Sequence, residues 1–129
     1  MSIYLLDTDT LIDFSKKYHP IKNRLLDMLQ SKAIIGICPI NVAEFYTGVP
    51  LNQHNHWNEF LATFTYWSIS KEAAIQAGIY RHHFLRKGKQ LTVTDALIAA
   101  VAREHNATIV TTNIKDYPME DVTLLSLRQ

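Results

Sequence analysis

The chain has 129 residues, 47% of them apolar and 19% charged, with 13 Lys and Arg against 12 Asp and Glu. That length suits one domain spanning residues 1–129, and a formal charge of +1 argues against a protein that grips nucleic acid by bulk electrostatics. A single cysteine, Cys38, excludes an intramolecular disulfide and a multi-cysteine zinc site; no apolar run approaches the roughly 18 residues of a membrane span, and Met1 to Leu6 is too short for a signal peptide, so a cytoplasmic protein is expected.

Ile3 to Leu6 is an apolar run without alternation that ends at Asp7, the pattern of a strand buried on both faces inside a parallel sheet. Thr8 to Phe14 and then Ile21 to Gln30 carry helical spacing, with Tyr18, His19 and Pro20 as the break. Ala33 to Cys38 reads as the next strand. Pro39 closes it and suits a helix beginning, while Asn41 with Glu44 three residues on resembles a capping box; Gly48 and Pro50 stop that helix. Trp57, Phe60, Leu61 and Phe64 recur at helical steps, leading to Trp67, Ser68 and Ile69 as a brief strand. Ser70 caps a longer helix that Gly88 closes. Asp95 to Arg103 is apolar nearly all round and predicts a helix packed deep against the sheet, Thr108 to Thr112 another strand, and Val122 to Leu127 a final edge strand. Strands alternating with helices imply an α/β fold with a central parallel sheet between helical layers.

Crossover helices in such a sheet run antiparallel to the strands, so helix beginnings gather at the carboxyl edge. Asp7 follows the first strand, Glu44 comes early in the helix after the second, Asp95 opens the helix feeding Thr108 to Thr112, and Asp116 follows that strand. All four belong at one edge, where open α/β sheets place their ligand sites. Each has a local alternative: Asp7 as a helix cap, Glu44 as part of the capping box, Asp95 as an acid favoured by a helix dipole, and Asp116 as a turn former. None of these alternatives requires a shared edge. At separations of about 5 Å and an effective dielectric near 20, each pair would repel by roughly 3 kcal/mol. A divalent cation relieves that repulsion, and oxygen-only ligands favour magnesium or manganese over zinc. Two such ions can serve an in-line phosphodiester displacement without a covalent intermediate.

Four segments carry a family resemblance: YLLDTDTLI at Tyr4 to Ile12, NVAEFYTG at Asn41 to Gly48, VTDALIAAVA at Val93 to Ala102 preceded by Gly88, and TIVTTNIKDY at Thr108 to Tyr117. In this order and spacing the chain resembles the PIN-domain family, and within it the VapC-type toxins of toxin-antitoxin pairs. The resemblance implies a three-layer α/β/α fold and a Mg2+- or Mn2+-dependent endoribonuclease. Asp7, Glu44, Asp95 and Asp116 match the acidic quartet that is both catalytic and metal-binding, and Thr8 and Asn113 match its supporting polar positions. It further implies a structured RNA substrate, a small cognate VapB-like antitoxin that blocks the acidic pocket, often with a basic side chain, and a homodimer. Three positions depart from the pattern: Asn41 stands where Ser or Thr is frequent, Thr112 where Arg is frequent, and Asp9 where Asn is usual, adding a fifth carboxylate beside the quartet.

Arg81, His82, His83, Arg86, Lys87 and Lys89 place positive charge late in a helix and beyond it, available to RNA phosphates or simply favoured by the helix dipole. His54 with His56, and His82 with His83, lack the spacing of a transition-metal site. Trp57, Phe60 and Phe64 read as core rather than as a docking stripe, and Cys38 as buried rather than reactive. Two rival functions compete. Asp7, Thr8, Asp9 and Thr10 also fit the DxDxT loop of haloacid-dehalogenase-like phosphatases, with Asp7 as nucleophile, Asp9 as acid, and Thr111 and Lys115 as further candidates; that reading leaves Glu44 and Asp95 idle. The other rival is a PIN-like binding module that has lost its chemistry.

Overall fold

The computed structural model describes residues 2–16, 20 and 22–127. Its centre is a five-stranded parallel sheet built from β1 (Ile3–Leu6), β2 (Ile34–Ile37), β3 (Thr65–Tyr66), β4 (Thr108–Thr111) and β5 (Leu124–Ser126), in the spatial order β3-β2-β1-β4-β5. The chain builds outward from β1 through β2 to β3, then crosses back to lay β4 and β5 on the other side of β1. The strand order therefore reverses between β1 and β4, and a crevice opens at their carboxyl ends.

Period-two alternation sends side chains to the two faces. Leu5 and Ile109, opposite each other in register, join the residues of α5 (Lys71–Arg86) and α6 (Val93–Glu104) in one core. Leu6, Ile35, Ile37 and Val110 point the other way, into a core with Leu11 and Phe14 of α1 (Thr8–Ser15), Leu25 of α2 (Lys22–Gln30), Phe45 of α3 (Pro39–Thr47) and Leu61 of α4 (His54–Leu61). The result is the three-layer α/β/α arrangement read from the sequence. Gly36 is required by close approach: a Cβ there would lie 2.1 Å from the ring of Trp67, which packs with the α5/α6 core and stacks on His105.

Several boundaries differ from the sequence reading. The helix after β2 begins at Pro39, as proline's fixed φ favours at the first helical position, but its capping box runs from Cys38 to Asn41 and not from Asn41 to Glu44. Cys38 is its N-cap, and Asn41 is the third helical residue, its side chain reaching back to the Cys38 N–H. The aromatic helix starts earlier, at His54 after a 3₁₀ turn at Leu51–Gln53, and stops at Leu61. The strand expected at Trp67 to Ile69 lies at Thr65–Tyr66; only the Trp67 N–H continues the ladder, to the Ile37 carbonyl, before β2 gives way to Pro39. α6 starts at Val93, two residues before Asp95, with Thr92 as its cap, and β5 is confined to Leu124–Ser126. Tyr18, His19 and Ile21, read as part of the break and start of the second helix, lie outside the described residues. No helix among the described residues is long and apolar enough to cross a membrane.

Candidate active site

At the crevice between β1 and β4 the four acids come together. Asp7, Glu44, Asp95 and Asp116 line one cavity of about 100 Å³, joined by Thr8, Asp9, Ile98 and Tyr117. Each acid arrives on a different element: the turn leaving β1, the second turn of α3, the first turn of α6, and the 3₁₀ turn Ile114–Asp116 that follows β4.

Asp7 is 5% exposed and doubly held. Its Oδ1 accepts the Thr10 N–H at 2.9 Å, the helix-capping bond that the bland reading anticipated, and its Oδ2 accepts the hydroxyl of buried Thr111 at 2.6 Å. Thr111 ends β4, so this bond closes the switch point. Burial pushes the Asp7 carboxyl up from its ordinary range; hydrogen bonds from Thr10 and Thr111 pull the other way, and the charge of Asp9 adds to the rise. Asp95 is half-buried and likewise raised, by burial first, then by the negative charges of Asp116, Asp7 and Glu44, against a hydrogen bond from Thr92. Glu44 is exposed on α3, and its Oε1 accepts the Thr8 hydroxyl at 2.5 Å. Tyr117 lies buried in the same cavity, its phenol pushed above its usual range by burial and by the surrounding aspartates.

The compensation around these acids is neutral. Among the described residues, no ion pair reaches Asp7, Glu44, Asp95 or Asp116, and no cationic side chain lines their cavity. No three of the described acids, histidines or cysteines stand close enough to share one ion directly as they are.

A family model for the PIN domain matches residues 4–118. The chain belongs to the PIN-domain family. It is 30% identical over 120 residues to a protein from Rickettsia felis named Ribonuclease VapC2, covering 89% of this chain and 90% of that protein. A Haemophilus influenzae protein of the same name is 27% identical over 123 residues, covering 88% and 89%. Among solved structures, the R. felis VapBC2 complex bound to a promoter DNA fragment superposes with a TM-score of 0.83 at 28% identity, covering 96% of this chain and 98% of that one.

Of the other polar residues singled out in the sequence, Thr8 lines the cavity, whereas Asn113 is exposed and contributes its backbone, its N–H donating to Thr111 Oγ1 at 2.9 Å. Thr111 thus ties together Asp7 and the corner that carries Asp116, a role its place in the sequence did not announce. A buried Thr at a strand end beside a predicted carboxylate is the only signal that would have marked it. This use of Thr111, with Lys115 exposed on the turn beyond, replaces the phosphatase reading once the family is known. Trp57 and Phe60 are half-buried and Phe64 buried, packed edge-to-face with one another and with Phe14 and Phe45 as core. Cys38 is fully buried and burial raises its thiol pKa, as expected of an unreactive cysteine. In the basic segment, Arg81 donates to the Leu91 carbonyl at 3.1 Å, and Lys89 Nζ donates to the Lys115 carbonyl at 3.2 Å.

Proposed function

We propose that this chain is a Mg2+- or Mn2+-dependent endoribonuclease, the toxin of a toxin-antitoxin pair, that hydrolyses phosphodiester bonds in structured RNA by a two-ion mechanism. One observation carries the reading: carboxylates from four separate elements line one small cavity that no cation among the described residues neutralises. The donor set fits the ion, being oxygen-only, anionic and partly desolvated. Magnesium dehydrates reluctantly and is typically held by one or two carboxylates together with water, so an arrangement without three converged ligands suits it.

Asp7, Glu44, Asp95 and Asp116 would hold the metal, which supplies a nucleophilic water at neutral pH and offsets the charge at the attacking and leaving oxygens of the phosphodiester. The chain's own part is positional. Asp7 is immobilised through both oxygens, so it anchors the set at the floor of the crevice. Asp95, on the rigid first turn of α6, faces it, while Glu44 and Asp116 flank the pair from α3 and from the turn after β4. Without a cation these carboxylates repel an RNA phosphate; with their charge offset, the site admits it. Lys89 and Lys115, brought together at the corner bearing Asp116, offer the nearby positive charge that a flanking phosphate would meet.

One solved relative is a VapBC complex; by analogy this chain pairs with a small VapB-like antitoxin that covers the acidic cavity with a basic side chain, the toxin itself being a homodimer. The test is Mn2+ titration alongside cleavage of a mixed RNA pool, followed by sequencing of RNA ends after brief expression of the wild type and Asp7→Asn. Metal-dependent new ends in the wild type alone support the reading. Metal binding with no cleavage would instead favour the silent binding module.

A further inference from the structure

Asn41 is 0% exposed, a fully buried amide wedged between the end of β1 and the start of α3. Its carbonyl oxygen accepts the Cys38 N–H at 2.8 Å, and its Nδ2 donates to the Leu6 carbonyl at 3.1 Å and to Thr8 Oγ1 at 3.3 Å. We propose that Asn41 is a positioning residue for the acidic cavity: its amide sets the direction of a hydrogen-bond chain, from Asn41 Nδ2 to Thr8 Oγ1 and from the Thr8 hydroxyl to Glu44 Oε1, that fixes the Glu44 carboxylate relative to the turn bearing Asp7.

The orientation of the amide is forced. Turning it over would set its oxygen against the Leu6 carbonyl and its NH2 against the Cys38 N–H, two conflicts at a fully buried amide. With Nδ2 facing Thr8, the hydroxyl oxygen of Thr8 must accept, so its single proton goes to Glu44, whose Oε1 lies 2.5 Å away. A helix-capping role would need only the bond from Cys38. Both amide protons are instead spent on β1 and on the residue after Asp7, joining the strand that carries Asp7 to the helix that carries Glu44. The chain of bonds is directional and buried at its origin, where such networks hold geometry most firmly.

The inference rests on the reading of the carboxylates as a cation-binding set, and the test separates the two. In the full-length protein, Mn2+ affinity measured by water-proton relaxation should fall about tenfold in Thr8→Val, at the low end of the ~10–100-fold loss typical when a group orienting a metal ligand is removed. Asn41→Ser should lose a similar factor, and the double variant should be no weaker than the weaker single within about twofold, because both break one chain. Thr8→Ser, which keeps the hydroxyl, should hold wild-type affinity. Losses that multiply in the double variant, or single variants that bind Mn2+ as the wild type does, would overturn the proposal. A readout that needs no metal runs beside it: the Asn41 side-chain amide protons should exchange slowly in 1H–15N spectra, and Thr8→Val should move one of them and leave the other. Resonances that ignore Thr8→Val would also refute the chain. A wild type that binds no Mn2+ would refute the cation reading, and the amide resonances then judge the hydrogen-bond chain by themselves.

Discussion

The two edges of the sheet treat their acids in opposite ways. At the amino edge a hollow of about 760 Å³ is lined by Glu72, Gln76, Arg103, Glu104 and Asp121, among others. There Asp121 pairs with Arg103 at 3.0 Å and accepts the Tyr80 hydroxyl at 2.8 Å, Arg103 also donates to Gln76, and Glu104 accepts from Ser70. At the carboxyl edge the cavity is far smaller, yet the Asp7 and Glu44 carboxylates accept only from neutral donors, and among the described residues no cation pairs with any of its four principal acids. In the larger hollow the Arg103–Asp121 pair answers charge with charge and, with Tyr80 and Gln76, ties α5, α6 and the segment before β5 together. The smaller one keeps negative charge in reserve, and that reserve, not volume, marks the site.

The widest separation between the two edges is expected in cleavage. Asp7→Asn or Asp95→Asn should lower RNA cleavage about 10³-fold, the equivalent of several kcal/mol of lost charge stabilisation, whereas Arg103→Ala should leave single-turnover rates at the wild-type level. Next in size is the response to metal. Saturating Mn2+ should stabilise the wild type by about 2.7 kcal/mol at a hundredfold excess over Kd. The gain, read as a shift in Tm and reversed by chelator, should shrink in Asp7→Asn.

Thr111→Val should destabilise the metal-free protein by about 1–3 kcal/mol, since it strands both the Asp7 carboxylate and the Asn113 N–H. Denaturant melts would show it, and an unchanged midpoint would mean that the switch-point bond contributes nothing. Asp95→Asn should act the other way, raising metal-free stability at neutral pH. Its sign follows from the raised folded-state pKa: the penalty for ionising Asp95 is fully present above that pKa and vanishes as pH falls toward the ordinary value of 3.8. The difference in Tm between variant and wild type should therefore close on acidification. The smallest effect belongs to the amino edge, where Arg103→Ala should cost about 1 kcal/mol or less because the pair with Asp121 is half-exposed.

Layering and strand number could be read from the sequence because hydrophobic period and element order determine them. Ile3 to Leu6 is an unbroken apolar run, Thr108 to Thr112 a β-branched one, and Asp95 to Arg103 is too apolar for anything but a helix against the sheet. The shared edge of Asp7, Glu44, Asp95 and Asp116 followed from topology alone. Boundaries were harder, since they depend on which of several capping residues wins. Cys38 caps α3 where Asn41 was expected to, and Thr92 caps α6, which starts two residues ahead of Asp95. The supports of the site were hidden for a related reason. Thr111 acts across 104 residues of sequence and Asn41 across 35, and contacts at that range leave no local pattern. Asn113, in turn, supports the corner through its backbone, which its residue type does not encode.

The central claim is that the carboxyl-edge acids, which have neutral hydrogen-bond donors but no cationic partner among the described residues, take a cation from outside the protein. Anomalous diffraction from a crystal grown with millimolar Mn2+ tests this most directly. The account predicts a peak among the carboxylates of Asp7, Glu44, Asp95 and Asp116, absent in Asp7→Asn. A cavity free of anomalous density under those conditions, or a peak only at Glu72, Glu104 and Asp121 on the opposite edge, would contradict it.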